Sequence, residues 1–184
     1  MHSHRSRSRA RRSLVLSLLL VPVLLATTAA DARIRTYGWL EWAFLKPDHV
    51  RIKAKLDTGA KTSSIHAVDI EKFTRDDREW VRFNVPITPR NGGGKRTRIV
   101  PMERPIVRDV LIKAHRGEAL ERPVVNIDIC LGGITFTTPV TLTDRSRFNY
   151  PLLLGRVALQ GRAVVDVAQK YVNDKRCAGA RAQK

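Results

Sequence analysis

The sequence predicts an all-β fold, on two observations about its pattern. Apolar and polar residues alternate with a period of two over several separate segments, whereas the 3.6-residue period of a helix hardly occurs. Clusters rich in Gly, Pro, Asn and Asp, which favour turns, stand between these segments. Because successive side chains of a strand point to opposite faces of a sheet, each alternating segment is predicted to be a half-buried strand.

The first 32 residues are expected to be an export signal and not part of the fold. Arginines at 5–12 precede an apolar stretch at 13–26, and the small residues at 30–32 are typical of a cleavage site. The stretch contains Pro22 and is shorter than the roughly 20 residues that a membrane span needs. We expect cleavage after Ala32, a periplasmic or secreted protein and no stable membrane insertion afterwards. An uncleaved anchor is the alternative.

The remaining residues are predicted to form one domain, 33–175, followed by a disordered tail, 176–184. This length is enough for a substantial hydrophobic core. Cys130 falls in a strand and Cys177 in the tail. An exported protein can form disulfides, but the sequence leaves open whether these two cysteines are bonded or free.

The chain is strongly basic, with a formal net charge of +17. The expected signal holds 5 of the 34 basic residues and 1 of the 17 acidic ones, so the rest carries 29 minus 16, or +13. Such a field attracts polyanions of any kind, acidic peptides and cell-wall polymers among them. Nucleic acid is not expected as a partner, because export would separate the protein from RNA and few aromatic residues flank the basic runs.

The alternation predicts which side chains face the core, strand by strand. An aromatic first strand is assigned to core or dimer-interface packing in preference to ligand stacking. Its residues are Tyr37, Trp39, Trp42 and Phe44. The core sets that follow are Val50, Ile52, Ala54 and Leu56; Val81, Phe83 and Val85; Val125, Ile127, Ile129 and Leu131; and, after a Gly132-Gly133 hairpin turn, Ile134, Phe136, Thr138, Val140 and Leu142.

Two similar segments, "ERPIV" at 103–107 and "ERPVV" at 121–125, are predicted to be the arms of one hairpin. Each is expected to begin a strand, because a proline at a strand's first position removes no ladder hydrogen bond. Helix is expected only at 155–161 and in part of 164–172.

One carboxylate stands out in "KLDTGA", residues 55–60. Asp57 ends an alternating run and is followed by Thr58 and Gly59. Gly59 permits close backbone approach, so that its N–H can donate to the carboxylate, and the Thr58 hydroxyl can fix the turn. The pattern indicates a rigid, partly desolvated acid, although the triplet alone is also typical of an ordinary β-turn.

A second segment, "YPLLLGRVAL" at 150–159, favours a functional acid at Asp57 over an ordinary β-turn. "LDTGA", intervening hairpins and "LLLGR" before an apolar helix together resemble the retropepsin family of aspartic proteases over about 50–167. A closer likeness is to a bacterial family that carries the label ATP-dependent zinc protease and is encoded beside RimK-type ATP-grasp ligases. That family also shows "LDTGAKTSS", "LTDRS", "YPLLLGR" and "VVDV". The resemblance implies an acid-protease half-barrel with one short C-terminal helix.

The resemblance further implies hydrolysis of peptide bonds, isopeptide or glutamate-rich ones included, by two facing carboxylates. The chain has one Asp-Thr-Gly, so the pair requires a homodimer in which each subunit contributes Asp57. Asp57, Thr58 and Gly59 are the predicted catalytic residues. No metal and no cofactor are expected: His-Glu-x-x-His is absent, and "GGGKR" at 92–96 lacks the remaining residues of a phosphate loop.

A flap is expected to cover the site, formed by the hairpin from about 106 to 125. Its predicted tip is at 115–118, and the triple glycine at 92–94 is the rival tip. The basic residues of this hairpin favour an acidic peptide or protein substrate, and a solvated charged edge is the alternative explanation. The predicted substrate-binding residues are Ala60, Lys61, His115, Arg116, Gly117 and Arg156.

Lys61 departs from the retropepsin pattern, which usually has an acid here that pairs with the Gly-Arg arginine. Arg156 is therefore expected to pair with Asp144 or Asp166. Lys61 is expected to lower the pKa of Asp57.

Two other functions compete with the protease. The first is a protease-shaped binding module that captures an anionic polymer in the periplasm without chemistry. The second is a serine hydrolase using Ser64 and His66, which is disfavoured because the chain has no Gly-x-Ser-x-Gly elbow.

Overall fold

The structure, a computed structural model, describes residues 34–87, 97–112, 120–173 and 177. This part of the chain forms ten strands and one four-residue helix, which confirms the all-β prediction. The elements are β1 (Arg35–Leu45), β2 (Val50–Leu56), β3 (Ser63–His66), β4 (Val68–Arg75), β5 (Arg78–Ile87), β6 (Arg98–Ile112), β7 (Leu120–Leu131), β8 (Ile134–Thr143), β9 (Leu152–Leu154), α1 (Arg156–Leu159) and β10 (Ala163–Lys170).

Six of the strands close into a ring. Their order is β1, β2, β9, β3, β8 and β7, and β7 pairs in turn with the end of β1, where Ala43 lies opposite Leu131. Strand β10 adds to β1 in parallel, while β6, β5 and β4 extend the sheet beyond β7. Closure leaves the ring strands without free edges along the paired segments.

Strand β9 lies between β2 and β3, although it comes about ninety residues later in the chain. It runs parallel to β2, with Leu56 opposite Leu154, and antiparallel to β3. Because β2 and β9 are parallel, their carboxyl ends lie at one edge of the ring. This arrangement brings "LDTGA" and "LLLGR" together.

The predicted alternation is confirmed in β2, β5 and β7, whose predicted core residues are all buried. In β2 every second residue from Val50 to Leu56 is buried, and the basic residues between them are half-buried. Burial of these apolar side chains supplies most of the favourable free energy of folding. The Gly132-Gly133 turn is also confirmed, with φ of 57° and 87°, which glycine adopts without steric cost.

Two expectations about local structure are wrong. Residues 163–170 form a strand and not a helix, because β1 offers an edge on which Val164 pairs with Thr36. The two prolines of the "ERP" segments do not begin strands. Pro105 lies inside β6, opposite Trp80, at the point where β6 leaves β5 for β7. The predicted hairpin itself is confirmed, with Ile106 opposite Val125.

The structure resolves the question of the cysteines. Cys130 of β7 forms a disulfide with Cys177, 47 residues later, with a Cα separation of 6.0 Å. Cys177 is buried although it falls in the segment predicted to be a tail.

Across the described ranges, no helix is long and apolar enough to cross a membrane.

Candidate active site

Asp57 follows the last residue of β2 and is held by three hydrogen bonds. The main-chain N–H groups of Gly59 and Ala60 donate to Oδ1 at 3.1 and 3.2 Å, as predicted for Gly59. Lys55 Nζ donates to Oδ2 at 3.0 Å. The carboxylate therefore has a fixed orientation, while 22% of its side-chain surface stays exposed.

The pKa of Asp57 is lowered from its ordinary value. The hydrogen bond from Lys55 is the largest cause, and the Gly59 and Ala60 amides act in the same direction, while burial opposes them. These groups favour the ionised carboxylate because they donate to its charged form. The expectation that Lys61 lowers this pKa is wrong: the cation that does so is Lys55, whose side chain lies on the same face of β2 as Asp57.

The segment after β9 holds the Asp57 loop in place. Asp57 N–H donates to Leu154 O at 2.8 Å, and the N–H groups of Arg156 and Val157 donate to Ala60 O and Lys61 O at 2.8 and 3.1 Å. Gly155 permits this contact, since a Cβ at that position would lie 2.6 Å from Thr62 O. The "LLLGR" segment is thus a clamp on the carboxylate loop.

Arg156 also binds this loop, through its side chain. Nη1 donates to Thr58 O at 3.0 Å and to Gly59 O at 2.8 Å. The expected pairing with Asp144 or Asp166 is wrong, because two backbone carbonyls next to Asp57 take the place of an acidic partner. Arg156 positions the loop and is itself exposed.

The loop surface faces solvent. Thr58, Gly59 and Lys61 are exposed. Within the described ranges the Thr58 hydroxyl has no hydrogen-bond partner, and no second carboxylate is bonded to Asp57. The described part of the chain therefore presents the Asp57 carboxylate on an accessible loop that is held by hydrogen bonds.

The predicted flap can be followed up to its tip. Strands β6 and β7 pair as far as Ile112 opposite Leu120. The predicted tip residues His115, Arg116 and Gly117 lie outside the described residues, as does the rival tip at 92–94.

Arg145, from the "LTDRS" segment, is a site residue that the sequence analysis did not assign. It is 8% exposed, with Nη1 donating to Ser64 Oγ at 2.8 Å and Nε to Tyr150 O at 3.1 Å. Burial lowers the pKa of its guanidinium, and the charge of Asp57 acts in the opposite direction. Arg145 is therefore electrostatically linked to Asp57. In the sequence, Arg145 stood out only through its place in "LTDRS", a segment that also occurs in the bacterial family.

His66 does not pair with Ser64 in the described structure. Arg145 N–H donates to His66 Nδ1 at 2.9 Å, while Asp144 Oδ1 lies 3.4 Å from the same nitrogen. Nδ1 accepts in the shorter contact, from the Arg145 N–H. It cannot then also donate to Asp144, so the two contacts cannot both be hydrogen bonds. Neither contact makes His66 a base for the Ser64 hydroxyl. A serine hydrolase was already disfavoured, because the sequence has no Gly-x-Ser-x-Gly elbow.

A cleft of about 450 Å³ opens beside this arginine. It lies between the outer face of β2, the end of β5 and the 145–151 loop. We call it the basic cleft. Its lining residues are Trp42, Arg51, Ile52, Lys53, His66, Pro86, Ile87, Thr97, Arg145, Ser146, Phe148, Asn149 and Pro151.

Within the described part of the chain, no group of three or more His, Cys, Asp or Glu side chains is placed to hold a metal ion. The described residues thus offer no ligand set for the zinc in the bacterial family's label.

Comparison with protein families gives a match to one model over residues 36–176. Its description is "RimB-like: Retropepsin-like aspartic endopeptidase RimB". The match includes the Asp57 loop, Arg145 and the clamp after β9.

Curated relatives carry a different name. Proteins of Shewanella pealeana and Desulfotalea psychrophila, each named "Probable alpha-L-glutamate ligase", are 39% and 38% identical over 136 and 140 residues. These matches cover 73% and 75% of this chain and 29% of each relative. The chain thus corresponds to under a third of their length.

A solved structure shares the fold. A Legionella pneumophila protein of unknown function, Lpg0085, is 37% identical, with a TM-score of 0.62. The match covers 75% of this chain and 97% of that protein.

Proposed function

The chain belongs to the RimB-like family of retropepsin-like aspartic endopeptidases, and from this premise we propose that it hydrolyses peptide bonds with a dyad of two Asp57 residues. The observation that carries the proposal is the Asp57 loop. Its carboxylate is oriented by Gly59 and Ala60, and its backbone is clamped by the segment after β9.

The chemistry needs two carboxylates facing one water. One is ionised and takes a proton from the water as its oxygen attacks the scissile carbonyl carbon. The other is protonated and donates a hydrogen bond to the carbonyl oxygen; the proton taken from the water then passes to the leaving amine. Two close carboxyls hold one proton between them because both cannot ionise together, so the pKa values belong to the pair.

Symmetry is the proposed source of the second carboxylate. The loop around Asp57 is exposed, and the Thr58 hydroxyl has no partner among the described residues, so both leave polar groups available to a second copy. A two-fold axis beside this loop places Asp57 opposite its counterpart.

A glutamate-containing peptide is the proposed substrate. The curated relatives that match this region are named as probable glutamate ligases, and the chain is strongly basic. Cleavage of peptide or isopeptide bonds in glutamate-rich segments fits both facts.

Export is proposed on two grounds. The first 32 residues have the pattern of a signal, and Cys130 and Cys177 form a disulfide. Disulfides persist mainly in oxidising compartments.

The test compares the protein with Asp57→Asn on a pool of glutamate-rich peptides, read by mass spectrometry. We expect loss of turnover by at least about a thousandfold, since the substitution removes both carboxylates of the dyad and loss of catalytic groups commonly costs this much, with an unchanged sedimentation coefficient. Asp166→Asn is the matched control, because the half-buried Asp166 of β10 accepts hydrogen bonds, among the described residues, only from Ala168 N and Gln169 Nε2. Equal turnover by protein and Asp57→Asn would refute the assignment.

A binding module without chemistry is the second candidate, favoured by the basic cleft. It predicts salt-dependent binding of anionic polymers and no cleavage. Inhibition of turnover by a transition-state analogue of aspartic proteases would decide for the enzyme.

A further inference from the structure

The outer face of β2 carries a row of basic side chains that leads to Asp57, the residue after the strand. Arg51, Lys53, Lys55 and Asp57 alternate with the buried residues of the strand, so their side chains share one face and follow each other at about 6.6 Å. The first two line the basic cleft. The row therefore joins the cleft to the carboxylate loop.

The basic cleft concentrates positive charge. Arg51, Lys53 and Arg145 line it together with His66, and among the described lining residues none is acidic. The ion pair between Lys55 and Asp57 on the same face lies outside the lining. Outside the lining, Asp144 Oδ1 lies 3.4 Å from His66 Nδ1, and the charge of Asp57 acts on Arg145. Arg51 and Lys53 form no ion pair with any described residue.

Two guanidinium groups in the cleft have unused donors. Arg51 Nε is buried and has no hydrogen-bond partner in the described ranges. Arg145 uses Nε and Nη1, and no described residue accepts from its Nη2. A buried donor without a partner costs free energy that an accepting ligand would recover.

Aromatic rings fix the position of both guanidinium groups. Arg51 lies 3.9 Å above the Trp42 ring, and Arg145 lies 4.6 Å from the centre of the Phe148 ring. Such stacking holds a guanidinium in place and leaves its edge available for planar, two-point binding of a carboxylate. Ile52 and Pro151 add apolar wall for an aliphatic stem.

From these observations we propose that the basic cleft is a subsite that binds a carboxylate of the substrate peptide. This subsite is separate from the two Asp57 side chains that perform hydrolysis. The proposal rests on the peptide-cleaving function above and adds where the acidic recognition takes place. Lys53 is four residues before Asp57, about 13 Å along the strand, so the recognised carboxylate is about four residues from the scissile bond in an extended peptide.

The test measures binding, so that it does not depend on turnover. Asp57→Asn protein is titrated with fluorescent ten-residue peptides in which a single Glu is moved through a neutral sequence, against the same peptides with Gln. Each peptide is made with a free and with an amidated C-terminus, which separates a side-chain carboxylate from a terminal one.

We expect one Glu position, or the free C-terminus, to strengthen binding about tenfold, the effect of one hydrogen-bonded charge pair. The gain should vanish in Arg51→Gln/Lys53→Gln. It should persist in Arg78→Gln/Lys170→Gln, which removes the same charge from exposed positions outside the lining. Denaturant midpoints of both double variants verify their folding.

A charge reversal provides a second readout. Lys53→Glu is expected to remove the preference for Glu over Gln, because the added carboxylate competes with the ligand for the donors of Arg51 and Arg145. Equal binding of Glu and Gln peptides at every position, with no effect of amidation, would overturn the subsite even if the unmodified enzyme cleaves them. Equal losses of peptide binding in the two double variants would also overturn the subsite, because binding would then depend on the overall charge of the protein. Selective binding without any hydrolysis by the unmodified protein would instead refute the proposed function.

Discussion

At the scale of single residues, the pair Lys55–Asp57 defines how the carboxylate titrates. The hydrogen bond between them lowers the pKa of Asp57. A dyad is active while it holds one proton, so a lowered pKa moves the active range toward acid.

Lys55→Gln is therefore expected to move the bell-shaped profile of kcat/KM to higher pH, because the carboxylate loses its strongest stabilising donor. The measurement is kcat/KM between pH 3 and 8 on one peptide. Lys61→Gln is the matched control, since Lys61 is not among the groups that lower the pKa of Asp57. An acid shift in Lys55→Gln, or equal shifts in both variants, would contradict the prediction.

Gly155 shows how a residue without a side chain can determine a site. A Cβ at this position would lie 2.6 Å from Thr62 O and 2.9 Å from Ala60 O, in the loop that carries Asp57. We expect Gly155→Ala to lower the free energy of unfolding by roughly 1–3 kcal/mol, as overpacking does, and to reduce turnover further by displacing the loop.

Gly161→Ala is its control, measured by urea unfolding and by turnover. Gly161 has φ of 71°, and a Cβ added there would meet no other atom within 4 Å. This variant should cost about 1 kcal/mol through the left-handed backbone alone and leave turnover per folded molecule unchanged. A larger loss of turnover in Gly161→Ala than in Gly155→Ala would contradict the role of Gly155 as a clamp.

At the scale of elements, period-two alternation predicted β2, β5, β7 and most of β8, because one face of each packs on the core. It could not predict β10, whose Val164 and Val167 are exposed and whose strand form depends on pairing with β1. It also missed the long course of β6, since Pro105, which suggested a strand start, lies where the strand changes partners.

The disulfide is the element-scale feature with the clearest effect on stability. It joins β7 to Cys177 across 47 residues, a separation at which loop entropy alone gives about 4 kcal/mol. Cys130→Ser/Cys177→Ser is expected to lose roughly 2–4 kcal/mol in urea unfolding. A reducing agent should lower the midpoint of the unmodified protein and have no effect on the double variant. A midpoint insensitive to both treatments would contradict this prediction.

At the scale of the whole molecule, the sequence predicted the turn at Asp57 and its Gly59 donor but not the network around them. The motif itself specifies the turn and the amide donors. The partners of Arg156 and the place of Arg145 depend on which segments the ring brings together, and neither follows from spacing along the chain. Lys55 was visible in the alternation, two residues before Asp57, and its role follows from their shared face.

The proposed symmetry makes a quantitative prediction for mixtures. If two Asp57 residues form one site, equal amounts of unmodified protein and Asp57→Asn that exchange subunits at random leave about half of the original activity, because half of the active chains enter mixed pairs. Dilution and reconcentration should allow exchange, and activity before exchange is the control. Mass tags on the two proteins show whether mixed dimers have formed. Full activity after they have formed would contradict a shared site.

The insertion of β9 between β2 and β3 has a consequence for the timing of biogenesis. The hydrogen bonds that fix the Asp57 loop come from Leu154, Arg156 and Val157, which leave the ribosome about a hundred residues after the carboxylate. During synthesis the Asp57 loop therefore stays without these three hydrogen bonds until β9 and α1 have been made. Under the proposed function, the growing chain cannot cleave peptides before that point.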